Sequence, residues 1–97
     1  MLVLVTYDVE TITKDGRKRL RQVAKCCVNY GQRVQNSVFE CVVTPAQLAE
    51  MKIKLSELIN DEKDSLRIYH LGKNWQIRVE NMGKNDTYDP ERDTFVF

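Results

Sequence analysis

The chain has 97 residues, 42% of them apolar and 30% charged, with four Gly, two Pro and a net charge of +1. That length fits one domain with a modest core, a size that often gains stability by oligomerising, and the composition excludes a disordered, collagen-like or disulfide-scaffold chain. No apolar run approaches the roughly 20 residues of a membrane span, and the apolar start lacks the basic flank of a signal peptide, so no membrane and a cytoplasmic location are expected.

The first element is Leu2 to Glu10, LVLVTYDVE. Its β-branched, apolar character without a helical period predicts a central strand buried on both faces. Asp8 stands near its end. A carboxylate there is costly to desolvate unless it is paired, exposed at the sheet edge or holding a metal. Thr11 to Gly16, TITKDG, reads as a polar loop in which Asp15 and Gly16 make a turn.

Arg17 to Tyr30 carries a helical stripe of Leu20, Val23, Ala24, Cys27 and Val28. Gly31 is expected to end that helix in the left-handed conformation. Arg17, Lys18, Arg21 and Lys25 lie largely off the stripe. From Glu10 to Gln35 there are seven basic residues against two acidic ones, so the positive charge is focused on this element.

Gln32–Gln35 and Val38–Val43 are predicted strands separated by a bend at Asn36-Ser37. Thr44-Pro45-Ala46-Gln47 is a helix start, with Thr44 as cap, Pro45 at the first position and Gln47 closing a capping box. Leu48, Met51, Leu55, Leu58 and Ile59 continue it as an apolar stripe. Asn60 to Asp64 reads as a charged, solvated loop. Ser65 to Leu71 is a strand ended by Gly72, with Leu66, Ile68 and His70 on one face and Arg67, Tyr69 and Leu71 on the other.

The order strand, helix, strand, strand, helix, strand predicts an α+β, ferredoxin-like domain over residues 1–72, with both helices on one sheet face. Residues 73–97 form a separate C-terminal segment. It contains a strand-like stretch from Trp75 to Met82, a polar stretch with Pro90 and an apolar end, Thr94 to Phe97. We expect this segment to cross to a second copy and complete the sheet of a homodimer.

Chemistry centres on Asp8. A hard divalent cation takes carboxylate oxygens and can activate water against a phosphodiester. One carboxylate is too few for a tight site, whereas two copies of Asp8 across a dimer axis suffice; the other reading is that Asp8 caps a turn. Arg17, Lys18, Arg19, Arg21 and Lys25 put five cations in nine residues with no acid between them, a pattern suited to phosphate backbone, with Arg33 and Gln35 adding to the patch. Tyr7 can stack or hydrogen-bond beside Asp8 as a supporting residue and also reads as a core tyrosine. Cys26, Cys27 and Cys41 lack Cys-x-x-Cys spacing and read as reduced, buried thiols, and His70 has no second ligand at zinc spacing.

Taken together, these residues resemble the Cas-two family of CRISPR-associated proteins. The resemblance rests on Tyr7-Asp8-Val9 closing the first strand, the basic first helix, the run YGQRVQNSVFEC from Tyr30 to Cys41, and DSLRIY from Asp64 to Tyr69. The long run looks like members that accompany type I CRISPR systems. What this implies is a ferredoxin-like homodimer acting in spacer acquisition, bridging dimers of the integrase subunit and supporting the duplex DNA to be inserted. It also implies a metal-dependent endonuclease acting on DNA or RNA, with Asp8 of each subunit binding Mg2+ or Mn2+, and Ser37 and Phe39 near the dimer axis. The alternative is a non-catalytic adaptor that bridges integrase dimers. A metabolite-binding regulator is the third class, which has no need of five cations on one helix.

Overall fold

The computed structural model describes residues 1–72 together with Glu80 and Met82. Apart from those two residues, the expected C-terminal strand and its crossing to a second copy lie outside the described residues.

Six elements follow one another: β1 (Leu2–Asp8), α1 (Lys14–Val28), β2 (Gly31–Gln35), β3 (Val38–Val42), α2 (Pro45–Leu58) and β4 (Ser65–Gly72). The strands form one antiparallel sheet in the order β2-β3-β1-β4. The doubly apolar β1 is therefore interior, with Val5 opposite Phe39 on β3 and Ile68 on β4. This is the ferredoxin-like arrangement expected from the element order.

Alternation divides the sheet into two faces. Val3, Val5 and Tyr7 of β1 and Phe39 and Cys41 of β3, with Val43 beyond it, pack with Leu20, Val23, Ala24 and Cys27 of α1 and Leu48, Met51 and Leu55 of α2. Leu66 and Ile68 lie against the same core. Leu4, Thr6 and Asp8, with Val38, Glu40 and Val42 and with Ser65, Arg67 and Tyr69, fall on the other face. That face keeps Val42 39% and Tyr69 44% exposed.

Three local expectations are corrected in α1 and β2. α1 begins at Lys14, not Arg17, because Thr13 caps it: its hydroxyl accepts from the Gly16 amide at 3.0 Å. Asp15 and Gly16 thus sit in the first turn, where Asp15 complements the helix dipole. Val28 is 45% exposed while Cys26 is buried, since the apolar stripe drifts around the helix within its last turn. Gly31 is the first residue of β2 and has no positive φ. It is required by crowding, since a Cβ there would lie 1.8 Å from the Glu40 carbonyl oxygen.

The α2 start is as the sequence predicts. Thr44 and Gln47 exchange hydrogen bonds of 2.9 and 3.2 Å, a complete capping box with Pro45 just inside it. The three cysteines are free and buried, and the Cys41 thiol donates to the Cys27 carbonyl at 3.6 Å. Among the described residues, no helix is long and apolar enough to cross a membrane.

Candidate functional site

Asp8 is the last residue of β1, exposed, and directly opposite Ser65. The residue before it is held at both ends. The Tyr7 amide donates to the Ser37 carbonyl at 2.9 Å, which ties the end of β1 to the turn between β2 and β3. The Tyr7 hydroxyl, on the helix face, donates to the carboxylate of Asp64.

Asp64 is the fourth correction. Its side chain is fully buried at the entry to β4, although the segment reads as a solvated loop. Arg19 grips it in a fork, Nε to Oδ2 at 2.8 Å and Nη2 to Oδ1 at 3.0 Å, and the Asn60 amide donates to Oδ2 at 2.9 Å. Burial pushes the Asp64 carboxyl up, but Arg19, Tyr7 and Asn60 outweigh it and hold the group below its ordinary value. The Tyr7 phenol is pushed up to about 12, first by burial and then by its bond to Asp64. One carboxylate thus joins β1, α1, the loop after α2 and the start of β4 behind Asp8.

This engagement removes Arg19 from the free cations expected on α1. Two other candidate arginines also hold backbone. Arg17 Nη1 donates to the carbonyls of Thr11 and Ile12 at 3.0 and 2.9 Å, which closes the β1–α1 loop. Arg33 Nε donates to the Asn36 carbonyl at 2.7 Å while its guanidinium lies 5.8 Å from the centre of the Phe39 ring. Phe39 is fully buried and Gln35 is exposed at the end of β2.

Lys18, Arg21 and Lys25 are exposed, joined by Lys14 at the start of α1. Their spacing of four, three and four residues gives one helix stripe, turned away from the stripe that packs on the sheet. The stripe spans about 16 Å along the axis. It lies on the far side of the sheet from Asp8, because Asp8 shares the face of Leu4 and Thr6. The structure does not gather the basic helix around Asp8.

Among the described residues, no three His, Cys, Asp or Glu side chains come together to hold a metal ion. A single exposed carboxylate suits Mg2+ or Mn2+ by its hard oxygens, but offers too few ligands from one chain. The donor set fits a divalent ion only as half of a shared site.

Comparison with known proteins gives a consistent answer. The family model described as CRISPR associated protein Cas2 matches residues 1–79. A protein of Halalkalibacterium halodurans named CRISPR-associated endonuclease Cas2 is 58% identical over 97 residues, covering all of both chains. One of Nitratidesulfovibrio vulgaris named CRISPR-associated endoribonuclease Cas2 is 55% identical over 91 residues, 94% of this chain and 89% of that one. The crystal structure of Streptococcus pyogenes Cas2 at pH 6.5 superposes with a TM-score of 0.79 at 65% identity, covering 86% of this chain and all of that chain. With its ferredoxin-like sheet and the Asp8 that closes the central strand, the chain belongs to the CRISPR-associated Cas2 family.

Proposed function

We propose that the chain is a CRISPR-associated nuclease of spacer acquisition that works as a homodimer and hydrolyses phosphodiester bonds with Mg2+ or Mn2+ shared between the Asp8 carboxylates of two copies. The observation that carries this is the face on which Asp8 lies. It is exposed at one end of the sheet face opposite α1 and α2, on the face that carries Leu4, Val38, Val42 and Tyr69. These four apolar groups sit among Thr6, Glu40, Ser65 and Arg67, and apolar groups left partly uncovered on a sheet face suit an interaction surface. A second copy laid over it by a two-fold axis buries the apolar side chains and brings two Asp8 residues towards each other. The names of the relatives, endonuclease and endoribonuclease, support the same reaction class.

When bound, the divalent ion supplies Lewis-acid polarisation of the phosphodiester and makes a nearby water more acidic. The chain does the rest. Asp8 provides the ligand oxygens, and Tyr7, fixed to Ser37 and Asp64, sets the position of the strand end that presents them. Hydrolysis adds a water oxygen to phosphorus, breaks the bond to the leaving sugar oxygen and returns the proton to that oxygen. Cleavage of duplex DNA and of RNA with Mg2+ or Mn2+ should be lost in Asp8→Asn. Equal rates in wild type and variant would reject the assignment.

The placement of Lys14, Lys18, Arg21 and Lys25 favours a second reading, in which the protein bridges integrase dimers without cutting. In a dimer closed over the sheet face, the two cationic stripes lie on opposite outer sides. They are suited to hold duplex backbone remote from Asp8. Normal spacer acquisition by an Asp8→Asn chain would select this reading.

A further inference from the structure

Register places a second charged group on the face that carries Asp8. Asp8 is opposite Ser65 and Thr6 is opposite Arg67, so Arg67 is the diagonal neighbour of Asp8 across the β1–β4 ladder. Such diagonal neighbours are about 7–8 Å apart, within reach of a long side chain. Leu66 and Ile68, on either side of Arg67, pack into the core, which turns Arg67 to the open face. Arg67, Ser65 and Asp8 are all exposed there.

Apart from Arg21 on the outer stripe of α1, the arginines among the described residues divide by what their guanidinium groups hold. Arg19 is taken by Asp64, Arg17 by the Thr11 and Ile12 carbonyls, and Arg33 by Asn36. Among the described residues, the hydrogen bond of Arg67 is to the Tyr69 hydroxyl, at 3.4 Å. The ion pairs of the described residues are Arg19–Asp64 and Lys54–Glu50, so Arg67 has no carboxylate of its own there. Tyr69 lies two residues along the same face and steadies the guanidinium, and among the described residues it takes one of the five N–H donors. A planar fork with open donors beside a carboxylate that fits half of a metal site is suited to a phosphate oxygen pair.

We infer that Arg67 is a phosphate-binding residue of the Asp8 site, taking the anionic oxygens of the phosphodiester to be cut. The inference rests on the nuclease reading above and deepens it. The cations on α1 hold backbone on the far side of the sheet, whereas Arg67 holds the reacting group itself. Ser65, directly opposite Asp8, offers its hydroxyl at the same place.

The test uses the full chain as wild type, Arg67→Gln, Arg67→Lys and Asp8→Asn. Inorganic phosphate is titrated at fixed ionic strength while the Arg67 Nε–H signal and the binding isotherm are followed. Mn2+ binding is followed by electron paramagnetic resonance, and mass by sedimentation. Arg67→Gln should weaken phosphate about tenfold or more, as loss of a charge-assisted hydrogen bond requires. It should lower kcat for Mg2+-dependent cleavage, and leave Mn2+ binding and mass as in wild type; Arg67→Lys should recover part of the phosphate affinity. Equal phosphate affinity in wild type and Arg67→Gln would overturn the inference, as would conversion of Arg67→Gln to a lighter species, which would make Arg67 an interface residue. If the wild type cuts nothing, the nuclease reading fails while the phosphate titration still decides the role of Arg67.

Discussion

Replacing Asp64 with Ala removes the acceptor for Arg19, Tyr7 and the Asn60 amide at once. The side chain is fully buried and its partner Arg19 17% exposed. Breaking a buried pair from one side costs about 3–5 kcal/mol, and the partly exposed guanidinium places this case near the lower end, at about 3 kcal/mol. For a domain of this size each kcal/mol moves Tm by roughly 4–8 °C, so a fall of about 12 °C or more is expected. The assay is thermal unfolding at one fixed protein concentration, since association would otherwise shift Tm. Asp8→Ala, an exposed position, serves as the control and should stay within about 0.5 kcal/mol of wild type. A fall below about 4 °C for Asp64→Ala would refute the account of this cluster.

The same cluster sets a pH dependence with a definite sign. Asp64 is held below its ordinary value of 3.8, so its contribution is full above that value and lost as pH falls through the lower folded one. The Tm gap between wild type and Asp64→Ala should therefore be constant near neutrality and close below about pH 4. Tyr7 is raised from 10.0 to about 12, so its contribution is full below pH 10.0 and lost between there and about 12. Wild type should lose more stability over that alkaline range than Tyr7→Phe, in which the raised Tyr30, Cys26 and Cys27 groups still contribute.

Further outcomes follow from the other surfaces. Each of Lys18→Ala, Arg21→Ala and Lys25→Ala should reduce the slope of log affinity for duplex DNA against log salt by roughly 0.9, while Arg19→Ala should leave it as in wild type. A slope lost equally in Arg19→Ala would contradict its commitment to Asp64. Gly31→Ala drives a Cβ to 1.8 Å from backbone that has little room to yield, and should cost about 2 kcal/mol in urea unfolding. Val42→Asp places a charge on the open sheet face and should give a monomer in sedimentation; an unchanged dimer mass would move the interface elsewhere.

Much of this fold is legible in the sequence because its signals are local. The unbroken apolar run of β1 marks an interior strand, and Thr44, Pro45 and Gln47 write the start of α2 within four residues. The stripe Leu48, Met51 and Leu55 gives the buried face of that helix. Where local signals compete, sequence reading loses. Asp15-Gly16 has the chemistry of a turn, yet Thr13 caps the helix before it, and only the contact with the Glu10 carbonyl explains Gly16 inside the first turn. Gly31 likewise answers to Glu40, nine positions on, and not to the helix it follows.

The site was legible in part for the same reason. Asp8 stands out because an acid at the end of an apolar strand is unusual. Arg19 looks like its neighbours in sequence, and what separates it is Asp64, 45 residues away. Asp64 in turn hides within a charged stretch whose other members are solvated. The sequence signals for it are its position, one residue before the strand that pairs with β1, and its place at the head of the DSLRIY run. The division between Asp8 and the basic helix needs the register, since it follows from which face each alternate residue takes.

Asp8 is proposed as half of a metal site completed by a second copy of the chain. The most direct test is an Mn2+ titration of the full chain followed by electron paramagnetic resonance, with wild type and Asp8→Asn at the same concentration. A shared site should hold one tightly bound ion for every two wild-type chains and none in Asp8→Asn. One ion per chain, or binding retained in Asp8→Asn, would contradict it.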